Sequence, residues 1–321
     1  MKRKNLQYRL VLLCTLLVLV SCQQAQQEQR ETPGKLRIAL VMKSLANEFF
    51  QTMENGARGH QRAHAADYEL IANGIKDEQD VSRQIDLVEQ MIAQRVGAIV
   101  IAPADSKALA SVCKKALDAG IPVINIDNKL DGAVLAERNL KIPFVGPDNR
   151  KGARVVGDYL AKRLKPGDRV AIIEGVPTAF NSVERRRGFE DAMNAGGMVI
   201  ASTQSGSWET TRANQVVSAL ITEQPDLKAI LCANDQMALG AVAALRAAGK
   251  ADQILVVGFD NIFAVQQLIK DERILATADQ HGDKLAVYGI EYALEIIRGQ
   301  STPQDRETPV DLITAQNLPG K

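Results

Sequence analysis

The feature that most constrains this fold is an internal repeat. Residues 98–128 read AIVIAPADSKALASVCKKALDAGIPVINIDN, and residues 229–261 read AILCANDQMALGAVAALRAAGKADQILVVGFDN. Each copy predicts an apolar strand, a short turn with an Asp, an Ala-rich helix and a second apolar strand ending in Asp-Asn. Continuous apolar strands are typical of a parallel sheet buried on both faces. Each copy is therefore a βαβ unit, and the repeat predicts two similar lobes.

The rest of the chain extends this α/β pattern. A length of 321 residues suits two α/β domains, and predicted strands and helices alternate along it, with five or six strands in each half. We expect two Rossmann-like parallel-sheet lobes, one from residues 35–146 and 281–305 and the other from 147–280 and 306–319. The chain would cross between them near Pro147, Gln280 and Thr308, forming a hinge of three crossovers.

The N-terminal segment reads as an export signal. Basic residues precede a short apolar run at residues 10–20, which ends in Leu-Val-Ser-Cys. We expect residues 1–22 to be a lipoprotein signal peptide with Cys22 as the lipidated mature N-terminus; the alternative is an ordinary signal peptide with a chance cysteine. Residues 23–34 are polar and end in Pro-Gly, which indicates a flexible tether. The mature protein would then be exported and anchored to a membrane surface.

Composition excludes several function classes. The net charge is +1 and falls further without the basic N-terminus, which argues against a nucleic-acid-binding surface. No P-loop, GxSxG or GxGxxG motif follows a first strand, so signatures of common enzymes and cofactor sites are lacking. His60 and His64 have a zinc-compatible spacing but no third ligand nearby, and a solvated helix face is the better interpretation. We expect Cys113 and Cys232 to be buried thiols.

Polar and aromatic residues collect at strand ends and helix starts, where open α/β sheets bind ligands. They are Asn47, Phe49, Phe50, Asp127, Asn128, Arg185, Trp208, Asn234, Asp235, Asp260, Asn261 and Gln280. Carboxylates, amides and arginine pair with vicinal hydroxyls, and aromatic faces pack on the C–H faces of sugar rings. Each has a structural alternative: a lone Phe is more often core, and a lone Asp a helix cap. Asp127 and Asp260, at equivalent ends of the two repeats, favour ligand contact.

Several motifs make a family resemblance plain: IALVMKSLANEFF, IVIAPADSKAL, PVINIDN, VAIIEG, ERRRGF, CANDQMALGA and VVGFDN. From residue 35 to 317 the chain resembles the sugar-binding proteins of bacterial ABC transporters, of the ribose- and allose-binding type with the class I periplasmic-binding-protein fold. By position, the resemblance implies a monosaccharide pocket of Lys43, Asn47, Phe49, Phe50, Asp127, Arg185, Trp208, Asn234, Asp260 and Gln280.

Two positions depart from the ribose-binding pattern. Lys43 stands where ribose binders carry a small hydroxyl residue, and Asn128 stands where they carry an Arg. Lys43 resembles the allose-binding members, so we expect a neutral hexose such as allose or psicose rather than ribose. We include Asn128 among the predicted ligand-binding residues.

The resemblance implies a non-catalytic monomer without cofactor or metal, which delivers its sugar to the permease and ATPase of an ABC transporter. One alternative is a sensory receptor for a chemotaxis or signalling partner, whose pocket would look identical. A sugar-responsive transcription repressor shares this fold, but such repressors begin with a helix-turn-helix segment, and this chain begins with an export signal.

Overall fold

The computed structural model describes residues 35–318. The predictions on residues 1–34, including lipidation at Cys22, lie outside this range. The strands are β1 (Arg37–Met42), β2 (Glu69–Gly74), β3 (Ala98–Ile101), β4 (Val123–Ile126), β5 (Phe144–Pro147), β6 (Arg169–Glu174), β7 (Val199–Ser205), β8 (Leu227–Cys232), β9 (Leu255–Val257), β10 (Ala276–Asp279), β11 (Arg306–Thr308) and β12 (Asp311–Thr314). The helices are α1 (Glu48–Ala63), α2 (Val81–Ala93), α3 (Ala110–Asp118), α4 (Gly132–Glu137), α5 (Asn149–Ala161), α6 (Phe180–Ala195), α7 (Thr210–Glu223), α8 (Asp235–Ala247), α9 (Phe263–Lys270) and α10 (Gly282–Ile297).

These strands form two six-stranded sheets of matching topology. The first has the order β11-β5-β4-β3-β1-β2, and the second has the order β12-β10-β9-β8-β6-β7. Pairing is parallel throughout, except that β12 runs antiparallel to β10. The repeat units fill equivalent places, with β3 and β4 adjacent in one sheet and β8 and β9 adjacent in the other. The predicted fold of two Rossmann-like lobes is confirmed.

Burial explains why these segments became strands. The inner strands β3 and β4 are buried at every position, as their continuous apolar sequences predict. Helices cover the sheets: Leu87 and Met91 of α2 join Val112 and Cys113 of α3 in one apolar cluster against the first sheet. Cys113 and Cys232 are both buried free thiols, as predicted.

The chain passes between the sheets three times. It leaves the first sheet after β5 and begins the second at β6, with α5 between them. It returns at Gln280, between β10 and α10, and crosses again after Thr308, between β11 and β12. These three segments form the predicted hinge.

One predicted lobe boundary is wrong. The sequence predicts that residues 306–319 belong to the second lobe, but Arg306, Glu307 and Thr308 pair in parallel with Val145–Pro147 of the first sheet. The final crossing therefore follows Thr308 instead of preceding residue 306. The division of the chain into lobes otherwise stays a prediction.

His60 is less solvated than its helical position predicts. Its side chain is 11% exposed, its ring stacks on that of His64 with centroids 4.2 Å apart, and its Nδ1 lies 2.9 Å from the Tyr68 hydroxyl. Within residues 35–318, no three His, Cys, Asp or Glu side chains are grouped so as to hold a metal ion.

Candidate functional site

A cavity lies where the carboxyl ends of the two sheets face each other. All of the predicted ligand-binding side chains except Asn128 line it, namely Lys43, Asn47, Phe49, Phe50, Asp127, Arg185, Trp208, Asn234, Asp260 and Gln280. The cavity is small, about 10 Å³, and side chains of both lobes line it.

Lys43, which follows β1, is paired with two acids. Its Nζ lies 2.9 Å from Glu78 Oε2 and 3.1 Å from Asp127 Oδ2, and all three side chains are almost fully buried. Burial alone would lower the pKa of Lys43, but attraction to Asp127 and then to Glu78 outweighs this and raises it. Lys43 is therefore charged, and removing one partner from so buried a group is costly.

Arg185 of α6 lies on the wall of the cavity and is held by several contacts. Its Nε donates to Asn149 Oδ1 at 2.7 Å, its Nη1 donates to the Ala233 carbonyl at 3.0 Å, and its guanidinium carbon lies 3.8 Å from the centre of the Phe259 ring. Nη1 also lies 3.5 Å from Asp260 Oδ1. These contacts leave the guanidinium a single orientation, which suits it to recognise a hydroxyl of defined position.

Asp260 is held by polar partners, as Asp127 is held by Lys43. Gln280 Nε2 donates to its Oδ1 at 2.6 Å. Burial raises the pKa of Asp260 well above its usual value, although the positive charge of Arg185 opposes the shift. A hydroxyl that donates to this carboxylate would supply hydrogen bonding that burial otherwise denies it.

Asp235, beside the cavity, shapes the loop that carries Asp260. Its Oδ2 accepts from the Ile262 amide at 3.0 Å, and its Oδ1 accepts from the Thr277 hydroxyl at 2.8 Å. The side chain is fully buried, and burial raises its pKa to about 7. Asp235 is therefore a support of the binding loop.

Three aromatic side chains complete the walls. The rings of Phe49 and Phe50 lie edge to face, with centroids 5.2 Å apart. Lys43 Nζ lies 5.6 Å from the Phe50 ring and 5.7 Å from the Trp208 ring. Trp208 packs on Gly175, where an added Cβ would lie 2.1 Å from Trp208 Cε2. The glycine is therefore required for the position of this wall.

Two of the three asparagines on the cavity wall, Asn47 and Asn234, also cap helices. Asn47 Oδ1 accepts from the Phe49 amide at the start of α1, and Asn234 Oδ1 accepts from the Met237 amide at the start of α8. Asn47 thereby keeps its side-chain NH₂ for a ligand, whereas Asn234 Nδ2 already donates one hydrogen bond, to the Trp208 carbonyl at 3.4 Å, and keeps one N–H.

The two aspartates, in contrast, do not cap the helices that follow them. Asp131 is the cap of α4, and α9 begins after Ile262 without a side-chain cap. Asp127 and Asp260 have positive φ values of 60° and 130°. Such conformations are strained for residues other than glycine and are concentrated at functional sites. The helix-cap alternative therefore does not apply to either aspartate.

Some polar atoms of the cavity wall have no hydrogen-bond partner anywhere in residues 35–318. Two of them, Glu78 Oε2 and Asp127 Oδ2, lie 2.9 and 3.1 Å from Lys43 Nζ. The remaining set is Asn181 Oδ1, Arg185 Nη2, Trp208 Nε1 and Gln280 Oε1, all on side chains no more than 4% exposed. A buried polar group left unpaired costs about 1–3 kcal/mol. The set offers two donors and two acceptors, and a hydroxyl group, which both donates and accepts, complements such a set.

Asn128 lies beside the cavity and not on its wall, which differs from its predicted role. Its Oδ1 accepts from the Asn181 amide at 3.2 Å and from the Ser106 hydroxyl at 3.3 Å, and its Nδ2 donates to the Pro103 carbonyl at 2.8 Å. The Ser106 hydroxyl in turn accepts from the Phe180 amide at 2.9 Å. Asn128 and Ser106 thus join the first lobe to the start of α6 in the second.

Two residues of the wall were missed by sequence reasoning, Glu78 and Asn181. Asn181 lies four residues before Arg185, on the same face of α6, so helical periodicity could have indicated it. Glu78 lies between β2 and α2. Only the order of strands, which places β2 beside β1, brings Glu78 to Lys43.

Fold and site together define a class of two-lobed binding proteins, and comparison with known proteins agrees. The family described as a periplasmic binding protein domain matches residues 38–301. The chain belongs to the periplasmic-binding-protein family, within it to the ribose- and allose-binding type of ABC sugar importers.

The relatives cover nearly the whole chain. A D-ribose/D-allose-binding protein of Pseudomonas aeruginosa is 61% identical, over 89% of this chain and 91% of its own length. A ribose import binding protein of Escherichia coli is 30% identical, over 87% of this chain and 90% of its own length.

Solved structures agree in fold. An ABC transporter solute-binding protein from Burkholderia multivorans is 60% identical, with a TM-score of 0.85, covering 88% of this chain and 100% of its own. Another from Actinobacillus succinogenes, with bound D-allose, is 35% identical, with a TM-score of 0.83, covering 88% of this chain and 98% of its own.

The family is periplasmic, which agrees with the predicted export. Among the residues that the structure describes, none belongs to a helix of the length and apolar character needed to span a bilayer.

Proposed function

We propose that this protein captures one neutral monosaccharide between its lobes and delivers it to the permease and ATPase of an ABC importer, as a monomer that is not an enzyme. The observation that carries the proposal is the set of unpartnered donors and acceptors on the cavity wall, at Asn181, Arg185, Trp208 and Gln280. They lie beside aromatic faces that suit the C–H surface of a sugar ring.

We infer further that a hexose such as allose or psicose is preferred over ribose. Lys43 occupies a position where ribose binders carry a shorter side chain, and its Nζ lies on the cavity wall between Glu78 and Asp127. The relative from Pseudomonas aeruginosa is described as binding both D-ribose and D-allose, so both sugars belong in the test.

Titration calorimetry with D-allose, D-psicose, D-ribose and other pentoses and hexoses tests this proposal. We expect heat of binding from at least one neutral sugar and tightest binding by a hexose. Tight binding of ribose without response to any hexose would reverse the preference, and no binding of any monosaccharide would refute the function.

We also propose that lipidation of Cys22 holds the protein at the membrane. Stable anchoring takes two acyl chains, since one gives only marginal binding. Changing Cys22 to Ala should therefore release the protein from the membrane fraction or leave it unprocessed. Normal processing with unchanged membrane retention of the variant would contradict the anchor.

A further inference from the structure

Glu78 is a buried acid on the cavity wall whose role the proposed function does not explain. It lies between β2 and α2, is 4% exposed, and places Oε2 2.9 Å from Lys43 Nζ. Asp127 already approaches the same ammonium group at 3.1 Å. Lys43 is thus shared between two carboxylates, although one carboxylate would be enough to balance its charge.

Glu78 changes the balance of charged side chains on the cavity wall. Lys43 and Arg185 are its basic side chains, and Glu78, Asp127 and Asp260 are its acidic ones. Without Glu78 the two signs would be equal in number, since Arg185 faces Asp260 and Lys43 faces Asp127. With Glu78 the wall has three acidic side chains against two basic ones. Burial raises the pKa of Glu78, although attraction to Lys43 opposes the shift, and in its ionised form Glu78 opposes the entry of an anion.

A second consequence concerns Asp127. If Lys43 had Asp127 as its single partner, the ammonium group would be free to turn toward the ligand or to cover both carboxylate oxygens. Glu78 restrains Nζ at 2.9 Å from its own Oε2, beside Oδ2 of Asp127. Asp127 lines the cavity, where it can accept from a hydroxyl of the ligand.

We propose that Glu78 is a specificity-determining residue that restricts the cavity to uncharged sugars, by neutralising Lys43 and by fixing Asp127 for a hydroxyl donor. This inference rests on the proposed function, because it assumes that the wild-type cavity binds a monosaccharide. It predicts that the uronic acid of a bound hexose, which differs by a carboxylate at C6, is rejected.

The test compares the wild-type protein with Glu78→Gln and Glu78→Asp. Each is titrated with D-allose, D-ribose and D-alluronate, by calorimetry and by the fluorescence of Trp208, the single tryptophan of the sequence. Glu174→Gln is the matched control, since Glu174 is 9% exposed at the end of β6 and does not line the cavity. Thermal melting confirms that each variant is folded.

We expect Glu78→Gln to raise the ratio of alluronate affinity to allose affinity by about 10- to 100-fold, the effect of one unit charge about 6–12 Å away at an effective dielectric constant of about 20. Glu78→Asp keeps the charge and should retain the wild-type rejection of alluronate even where it weakens allose binding. Glu174→Gln should leave the ratio unchanged.

The outcomes separate this inference from the function on which it rests. If the wild-type protein binds no neutral sugar, the proposed function fails. If it binds allose or ribose but Glu78→Gln keeps the wild-type ratio, or the ratio rises equally in Glu78→Asp, then the charge of Glu78 does not set specificity and the inference is overturned. Should Glu78→Gln fail to fold, Glu78→Asp decides: acceptance of alluronate by that variant overturns the inference, and rejection supports it.

Discussion

Changing Asn128 to Ala should weaken sugar binding although no ligand contact is removed. The side-chain Oδ1 of Asn128 accepts from the backbone amide of Asn181 across the cleft and from the Ser106 hydroxyl. The Ser106 hydroxyl in turn accepts from the backbone amide of Phe180. The bonds from the Asn181 and Phe180 amides cross between the lobes and require the lobes to be together, whereas the bond between Ser106 and Asn128 lies within the first lobe. Their loss therefore lowers the stability of the closed state relative to the open one, and apparent affinity falls with the closed fraction.

The size of the effect follows from the loss of one hydrogen bond between the lobes, from the Asn181 backbone amide to Asn128 Oδ1. A neutral hydrogen bond contributes about 0.5–1.5 kcal/mol, which at about 1.4 kcal/mol per decade corresponds to a roughly 2- to 12-fold rise in Kd. Because the contact forms after the ligand has entered the cleft, the change should lie mainly in the dissociation rate.

Calorimetry gives Kd, stopped-flow fluorescence of Trp208 gives both rate constants, and small-angle scattering gives compactness with and without sugar. Asn214→Ala is the matched control, because Asn214 Nδ2 donates to the Gly240 carbonyl within the second lobe alone. It should lower the melting temperature without changing the dissociation rate. If Asn128→Ala binds as tightly as the wild type and dissociates no faster, the cross-lobe contact does not govern closure.

Further variants test the site and its support. Asp127→Asn and Asp260→Asn should each raise Kd for a neutral sugar by about 10- to 100-fold by calorimetry, since a hydrogen bond to a charged group contributes about 1.5–3 kcal/mol; unchanged affinity in either would remove that residue from the site. Gly175→Ala should displace Trp208, seen as a shifted emission maximum and weaker binding, and wild-type emission would contradict the close packing. Burial raises the pKa of Asp235 from 3.8 to about 7, so its contribution to the free energy of unfolding is fully present below pH 3.8 and is lost as pH rises to 7. Chemical denaturation of Asp235→Asn across this window should lack that decline, which reaches at most about 1.4 kcal/mol per pH unit; the same decline in the variant would assign it to other groups.

The sequence by itself determined the fold and most of the cavity wall. Apolar runs set the strands, because a parallel sheet covered on both faces needs apolar residues on both. Chain order then fixed which residues follow strand ends, and this local information sufficed to predict Asp127, Asp260 and Gln280 as neighbours of one cavity. The internal repeat predicted two lobes of the same architecture, because similar sequences fold into similar units.

Tertiary structure decided what depends on contacts between distant segments. Glu78 reaches Lys43 only because β2 pairs with β1, and no local pattern encodes that order. Asn128 follows Asp127 directly, yet its side chain joins the lobes and does not line the cavity. Strand β11 belongs to the first sheet because of its pairing with β5, although it lies close in sequence to β12 of the second. Periodicity reports which face of an element is buried, and it carries no information on the partner that buries it.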